Sequence, residues 1–255
     1  MNLTKPQSRI FNDNSRFRVV VAGRRFGKTF LSTAELMRKA ATIPDANVWY
    51  VAPTYRAAKD VAWDMLKTII DSSLIFKTNE SELSIRLING STISLKGAEK
   101  PDNLRGRSLD FVVLDEFADM RPETWFEVLR ASLSDRMGGC LFIGTPKGRN
   151  HFYDLWTNSL DDWESFQYTT LQGGNVPESE IDAARRDLDE RTFKQEYEAA
   201  FVNYSGIIYY NFDRKDSVTK CEDDGEILHI GMDFNLDPMS AVVATHTGGN
   251  LRIID

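Results

Sequence analysis

The chain contains no run of about 18 apolar residues and no basic opening followed by an apolar stretch, so nothing in it should enter or cross a membrane. It is expected to stay in the cytoplasm. Cysteine is scarce: two in 255 residues, Cys140 inside an apolar run and Cys221 in an acidic turn, contexts too unlike to suggest a disulfide. Internal repeats and low-complexity tracts are missing, which excludes a repeat array. The formal net charge of −7 argues against a uniformly basic nucleic-acid binder. Charge is unevenly spread, however. Residues 1–39 carry nine Lys and Arg against Asp13 and Glu35, a local balance of +7, while acidic residues gather at 178–198 and 222–224. A basic N-terminal face suits phosphates, whether of a nucleotide, of DNA or of both.

What the chain does have is a hydrophobic strand running into a phosphate-binding turn. Val19-Val20-Val21-Ala22 leads into Gly23-Arg24-Arg25-Phe26-Gly27-Lys28-Thr29, and a helical pattern follows. In such a turn, backbone N–H groups and the helix N-terminus face the phosphates, the lysine reaches the β/γ oxygens and the threonine hydroxyl can ligate Mg2+. Ala22 occupies the position where the strict motif has its leading glycine.

Periodicity predicts strands at 17–22 and 47–52, with helices at 28–41 and 55–70. Alternation around Asn89-Gly90 predicts a β-hairpin over 84–95. Strands are expected again at 111–114, 140–144 and 163–169, and helices at 122–135, 151–158 and 178–200. Strands alternating with helices predict an α/β fold, a mostly parallel sheet flanked by helices. A boundary is expected after residue 202: residues 1–202 form the α/β domain, 203–226 a linker, and 227–255 the start of a β-rich domain. About 29 residues cannot bury a core alone, so the chain reads as a fragment of a longer protein.

Asp115-Glu116 ends the buried strand at 111–114 and offers the second half of a nucleotide site. One carboxylate can hold the magnesium shell and the next can polarise a water. Neighbouring residues on a strand point to opposite sides, so the two should serve different tasks. Thr145 ends the next strand on the same sheet edge, where ligands of open α/β folds bind. Arginines that could stabilise a transferring phosphoryl group are Arg24 and Arg25 in the turn, and Arg105 and Arg107 around Gly106.

Taken in order, Gln7, Gly-Arg-Arg-Phe-Gly-Lys-Thr at 23–29, Val-Ala-Pro-Thr-Tyr at 51–55, Leu-Arg-Gly at 104–106, Val-Leu-Asp-Glu-Phe-Ala at 113–118 and Gly-Thr-Pro-Lys-Gly at 144–148 resemble the large terminase subunit of tailed bacteriophages. The resemblance implies a P-loop NTPase fold of the RecA/ASCE type followed by an RNase H-like nuclease domain. It implies an ATPase that drives double-stranded DNA into a procapsid through the portal protein. Its partners would be a small terminase subunit and further copies in a homo-oligomeric ring, in the host cytoplasm and transiently on the procapsid. Carried over by position, Gln7 would contact adenine and Gly23, Arg24, Arg25, Phe26, Gly27, Lys28 and Thr29 would bind ATP. Thr29 and Asp115 would hold Mg2+, Glu116 would activate water, and Thr145 would couple hydrolysis to movement. Arg105 matches an arginine finger reaching a neighbouring subunit. Asp233 would be the first ligand of a nuclease centre using Mg2+ or Mn2+, whose other acids would lie beyond Asp255, so no competent nuclease is expected. Two alternatives share parts of this pattern: a helicase-like DNA translocase, and a nucleotide-gated assembly module that does not hydrolyse.

Overall fold

Runs of consecutive apolar residues become strands buried on both faces, because a parallel sheet sandwiched by helices gives neither face to water. In the computed structural model these are β1 (Phe17–Ala22), β2 (Asn47–Ala52), β6 (Phe111–Asp115) and β7 (Gly139–Gly144), all in the middle of one sheet. The structure describes residues 2–158, 160–202, 225, 227–233, 240–247 and 250–253. They fall into two units that divide between Ser205 and Gly206.

In the first unit the eight-stranded sheet has the order β3-β4-β5-β2-β6-β7-β1-β8. Its other strands are β3 (Ile75–Asn79), β4 (Ser84–Leu87), β5 (Thr92–Gly97) and β8 (Trp163–Tyr168). From β5 to β8 every neighbouring pair is parallel, and β3 and β4 are added antiparallel at one edge. The hairpin predicted around Asn89-Gly90 is β4–β5, and Gly90 supplies the positive φ of +86° that the turn needs.

Helices cover both faces. On one side α1 (Lys5–Asn12), α2 (Lys28–Thr42), α3 (Tyr55–Ala58) and α4 (Asp64–Ile69) pack on Val20, Tyr50, Val113 and Ile143. On the other, Trp125, Leu129, Phe152 and Leu155 pack on Val19, Val21, Val112, Leu114 and Phe142. These contributions come from a π-helical turn at Thr124–Leu129, which continues into α5 (Arg130–Ser132), and from α6 (His151–Trp156). Residues two apart on each strand share a face, as the strand period requires. A buried ion pair ties β1 to α2: Arg18 Nη1 donates to Glu35 Oε1 at 2.6 Å.

Three predicted helices differ in detail. The helix expected at 55–70 is interrupted by a π-helical turn, Lys59–Trp63, where the backbone widens and Trp63 is buried with its Nε1–H donating to Glu80. The helix expected at 122–135 begins in the other π turn. The helix expected at 178–200 breaks into α8 (Glu178–Asp187) and α9 (Glu190–Glu196), because the Asp189 carboxylate caps the N–H groups of Arg191 and Thr192. The short α7 (Thr170–Gly173) precedes them.

The second unit is a three-stranded antiparallel meander of β9 (Leu228–Asp233), β10 (Ser240–Thr247) and β11 (Asn250–Ile253). Of the linker expected at 203–226, all but Gly225 lies outside the described residues. Among the described residues no helix is long and apolar enough to cross a membrane.

Candidate nucleotide site

β1 delivers the chain to the sheet edge at Ala22, and the backbone must then reverse into α2 within five residues. Positive φ at Arg25 (+59°) and at Gly27 (+89°) makes that turn. Gly23 has no room for a side chain: a Cβ there would lie 2.6 Å from Thr170 Oγ1 and 2.8 Å from Tyr197 O. Phe26, implied by resemblance as a nucleotide-binding residue, puts its ring in the core, fully buried and stacked on Tyr168 at 5.5 Å. Only its main chain is available to a phosphate. The first-turn N–H groups of α2 and its dipole make the loop mouth a place for negative charge.

The strand order decides what meets that mouth. Because β7 lies between β1 and β6, the residue after β7 sits between the phosphate loop and the acidic pair. Lys28 Nζ donates to Thr145 Oγ1 at 2.8 Å and to Ala22 O at 3.2 Å, and lies 3.6 Å from Glu116 Oε1. Thr145 N donates to Glu116 Oε2 at 3.1 Å. Glu116 is held in the left-handed region, φ +51°, which swings its carboxylate over the end of β7. Asp115 keeps to the α2 side of the sheet and accepts from the Tyr50 hydroxyl. Thus the two acids face different partners, Asp115 by its place at the end of β6 and Glu116 by its left-handed backbone just beyond it.

Burial, then the neighbouring charge of Glu116, pushes the Asp115 carboxyl up to about 6, against the Tyr50 hydrogen bond and Lys28. A dication would relieve both effects. Hard carboxylate and hydroxyl oxygens from Asp115 and Thr29 suit Mg2+, which takes one or two protein ligands and completes its shell with phosphate and water. Among the described residues no group of three or more His, Cys, Asp or Glu could hold a metal alone.

The other sequence-derived residues are distributed less simply. Gln7 lines the same cavity of about 490 Å3 as Arg25, Gly27, Lys28 and Thr29. Its amide, though, is engaged by the protein: Nε2 donates to Phe26 O and Gly27 O, and Oε1 accepts from Thr4 N. Arg24 is turned outward, its Nε 2.5 Å from Glu196 Oε2. Arg105 is not joined to the loop; it pairs with Asp102 at 2.8 Å and donates to Glu127 O, beside a separate depression that Arg107 also lines. Asp233 ends β9, paired in register with Ser240. Tyr50, Thr170, Asn175 and Glu196 contact the site, and no motif in the sequence marks them.

Comparison with known proteins identifies the architecture. A family model described as terminase large subunit, T4likevirus-type, N-terminal, matches residues 19–216. The chain belongs to the terminase large-subunit family. The large terminase subunit of Escherichia phage T5 is 32% identical over 225 residues, covering 84% of this chain and 51% of that protein. That of Thermus phage G20c is 29% identical over 243 residues, covering 81% and 50%. This terminase chain therefore spans about half the length of the curated relatives it matches. The solved ATPase domain of the Thermus phage P74-26 large terminase superimposes with a TM-score of 0.71 at 27% identity, over 79% of this chain and 94% of that one. A large terminase from another thermophilic bacteriophage, at 17% identity, shares the fold with a TM-score of 0.70, over 100% of this chain and 68% of that one. The sheet is thus the P-loop ASCE sheet of large terminases, and membership of that family displaces the helicase-like reading.

Proposed function

We propose that this terminase chain is the ATP-hydrolysing part of a motor that moves double-stranded DNA into a procapsid. One observation carries the reading: Lys28, Thr145 and Glu116 converge at the mouth of the phosphate loop, with Asp115 behind them. Lys28 and the α2 N-terminus bind the β/γ-phosphates. Glu116, the more exposed of the two acids, accepts a proton from the attacking water. Mg2+, held by Thr29 and Asp115, would neutralise charge on the phosphate oxygens. Thr145 touches both the phosphate-binding lysine and the base, so it is placed to pass a change at one to the other. Arg24, within the loop, and Arg105, exposed on its own surface and able to act only on a neighbouring copy, are the two candidates for charge stabilisation.

The wider assignment rests on family membership: residues 1–202 as the ATPase domain, 203–226 as a linker, and 227–255 as the opening of an RNase H-like nuclease with Asp233 as its first metal ligand. Portal protein, small terminase subunit, a ring of copies and a place on the procapsid in the host cytoplasm belong to the same reading. The test is phosphate release from ATP with Mg2+, with and without DNA and procapsids. Turnover that EDTA abolishes is expected. No turnover under any of these conditions, or turnover indifferent to EDTA, contradicts the reading.

A further inference from the structure

The turn that follows Glu116 is gripped residue by residue from the loop after β7. Phe117 O accepts from His151 Nε2 at 3.0 Å, Ala118 O accepts from Asn150 Nδ2 at 3.2 Å, and the Asp119 carboxylate takes Lys147 Nζ at 2.6 and 2.7 Å. A carbonyl only accepts, so the His151 proton sits on Nε2. The same imidazole stands edge-on to the Phe117 ring, 4.8 Å between centroids at 82°, and Phe117 is itself fully buried against Phe142. Asn150 has two tasks. Its Oδ1 accepts from Phe152 N at 3.0 Å and caps α6, which leaves Nδ2 to face Ala118 O. Lys147 and Asp119 are both exposed, so their pair contributes little; the hold rests on Asn150 and His151, whose bonds are partly buried.

Glu116 needs such a hold. Its φ of +51° is unfavourable for a residue with a Cβ and lasts only where the surroundings over-determine it. One constraint comes from β7, where a Cβ on Gly144 would lie 3.3 Å from Glu116 Cα. Another comes from the 3₁₀ turn Phe117–Asp119, closed by Asp119 N donating to Glu116 O at 2.9 Å and Met120 N to Phe117 O at 3.0 Å. Asn150 and His151 fasten that turn from outside. Were it to relax, Glu116 would return toward an ordinary φ and its carboxylate would leave Thr145 N.

We infer that Asn150 and His151 are positioning residues for Glu116: by holding the carbonyls of the two residues that follow it, they keep its backbone left-handed and its carboxylate over the end of β7. Both act through Glu116. The consequence for turnover rests on the ATPase reading above, whereas the hold on the turn does not.

Asn150→Ser keeps an oxygen to cap α6 and loses the donor to Ala118 O, and His151→Phe keeps a ring against Phe117 and loses the N–H. In each, kcat for ATP should fall roughly tenfold to a hundredfold, the cost of a general base displaced by about 1 Å, while KM stays within about threefold because the phosphate loop is untouched. Added to Glu116→Gln, Asn150→Ser should lower kcat no further, since the group it positions is already gone. In the protein without nucleotide, amide hydrogen exchange at Asp119 and Met120 should speed up in both variants, at an unchanged unfolding midpoint for Asn150→Ser. The inference is overturned by a kcat within about twofold of the parent in either variant, by a loss in Asn150→Ser that multiplies with that of Glu116→Gln, or by unaltered exchange at these two amides. If the unsubstituted chain does not hydrolyse ATP, the ATPase reading fails while the exchange experiment still decides the hold.

Discussion

Replacing Glu116 with glutamine should lower kcat for ATP by about 10²- to 10⁴-fold, the usual worth of a positioned general base, while ATP binding stays within a few-fold. The geometry motivates the split. Glu116 Oε2 accepts from Thr145 N, a bond the glutamine Oε1 can keep, so the end of β7 should hold its place. The same side chain lies 3.6 Å from Lys28 Nζ, so neutralising it leaves Lys28 free to bind phosphate at least as well. What disappears is the basic oxygen. A Gly or Asn tolerates the left-handed φ of +51° more readily than other residues, but Glu→Gln leaves that backbone preference nearly unchanged. Single-turnover phosphate release, beside a titration with a fluorescent nucleotide, separates the two quantities. A rate close to that of the unsubstituted protein would remove Glu116 from its role; equal losses in rate and binding would make it structural.

The largest stability effect is expected away from the phosphates, at Glu35. Its carboxylate is fully buried and holds two guanidinium groups, Arg18 from β1 and Arg38 one helical turn along α2, each at 2.6 Å. Arg18 is buried too, donates to Ile10 O at 2.7 Å, and has an Nε with no hydrogen-bond partner among the described residues. Glu35→Ala therefore strands a buried cation, and should cost about 3–5 kcal/mol of stability. Arg38 is partly exposed, so Arg38→Ala should cost no more than about 1 kcal/mol. The double change Arg18→Met with Glu35→Leu should recover most of the loss, because an apolar pair of similar volume leaves no fully buried charge behind, Arg38 being partly exposed. Urea unfolding followed by tryptophan fluorescence reports all three, since Trp63 and Trp125 are buried in this unit. A Glu35→Ala protein as stable as the parent would show that Arg18 finds water or another partner.

Much of the fold and the site is legible in the sequence for identifiable reasons. Val19 to Ala22 and Phe111 to Leu114 read as strands because both faces are buried and every residue is apolar. Gly27-Lys28-Thr29 and Asp115-Glu116 can be joined into one site because the alternation of strands and helices puts both at the same sheet edge. β3 escapes a sequence reading because it is an edge strand whose Phe76, Lys77 and Thr78 are exposed, so no alternation marks it. α1 escapes it because its eight residues show a single helical turn of apolar signal, and its capping box is visible only once Gln7 folds back on Thr4. The break at Asp189 carries a local signal, an aspartate followed by Glu190, which a continuous helical pattern on either side conceals.

The site's supporting residues are illegible for a different reason. Asn175 and Glu196 meet the phosphate loop from 149 and 172 residues away, and nothing in their own neighbourhoods distinguishes them from solvated loop and helix residues. Arg24 shows the limit clearly: its place in the loop is evident, but its ion pair with Glu196 exists only because the end of α9 returns beside the loop, where Arg24 N donates to Glu196 O. Gln7 shows the converse. Its position is evident, whereas the direction of its amide depends on where the loop carbonyls point.

The central claim is that the turn after β1 and the acidic end of β6 make one nucleotide site. A crystal structure of the chain with ATP-γ-S and Mn2+, the manganese located by its anomalous scattering, tests it most directly. The expected result is one nucleotide-associated peak between the Thr29 hydroxyl and the Asp115 carboxylate, with Lys28 on the phosphates. Nucleotide bound elsewhere, for example in the depression beside Arg105, or a metal peak away from Asp115, would contradict it.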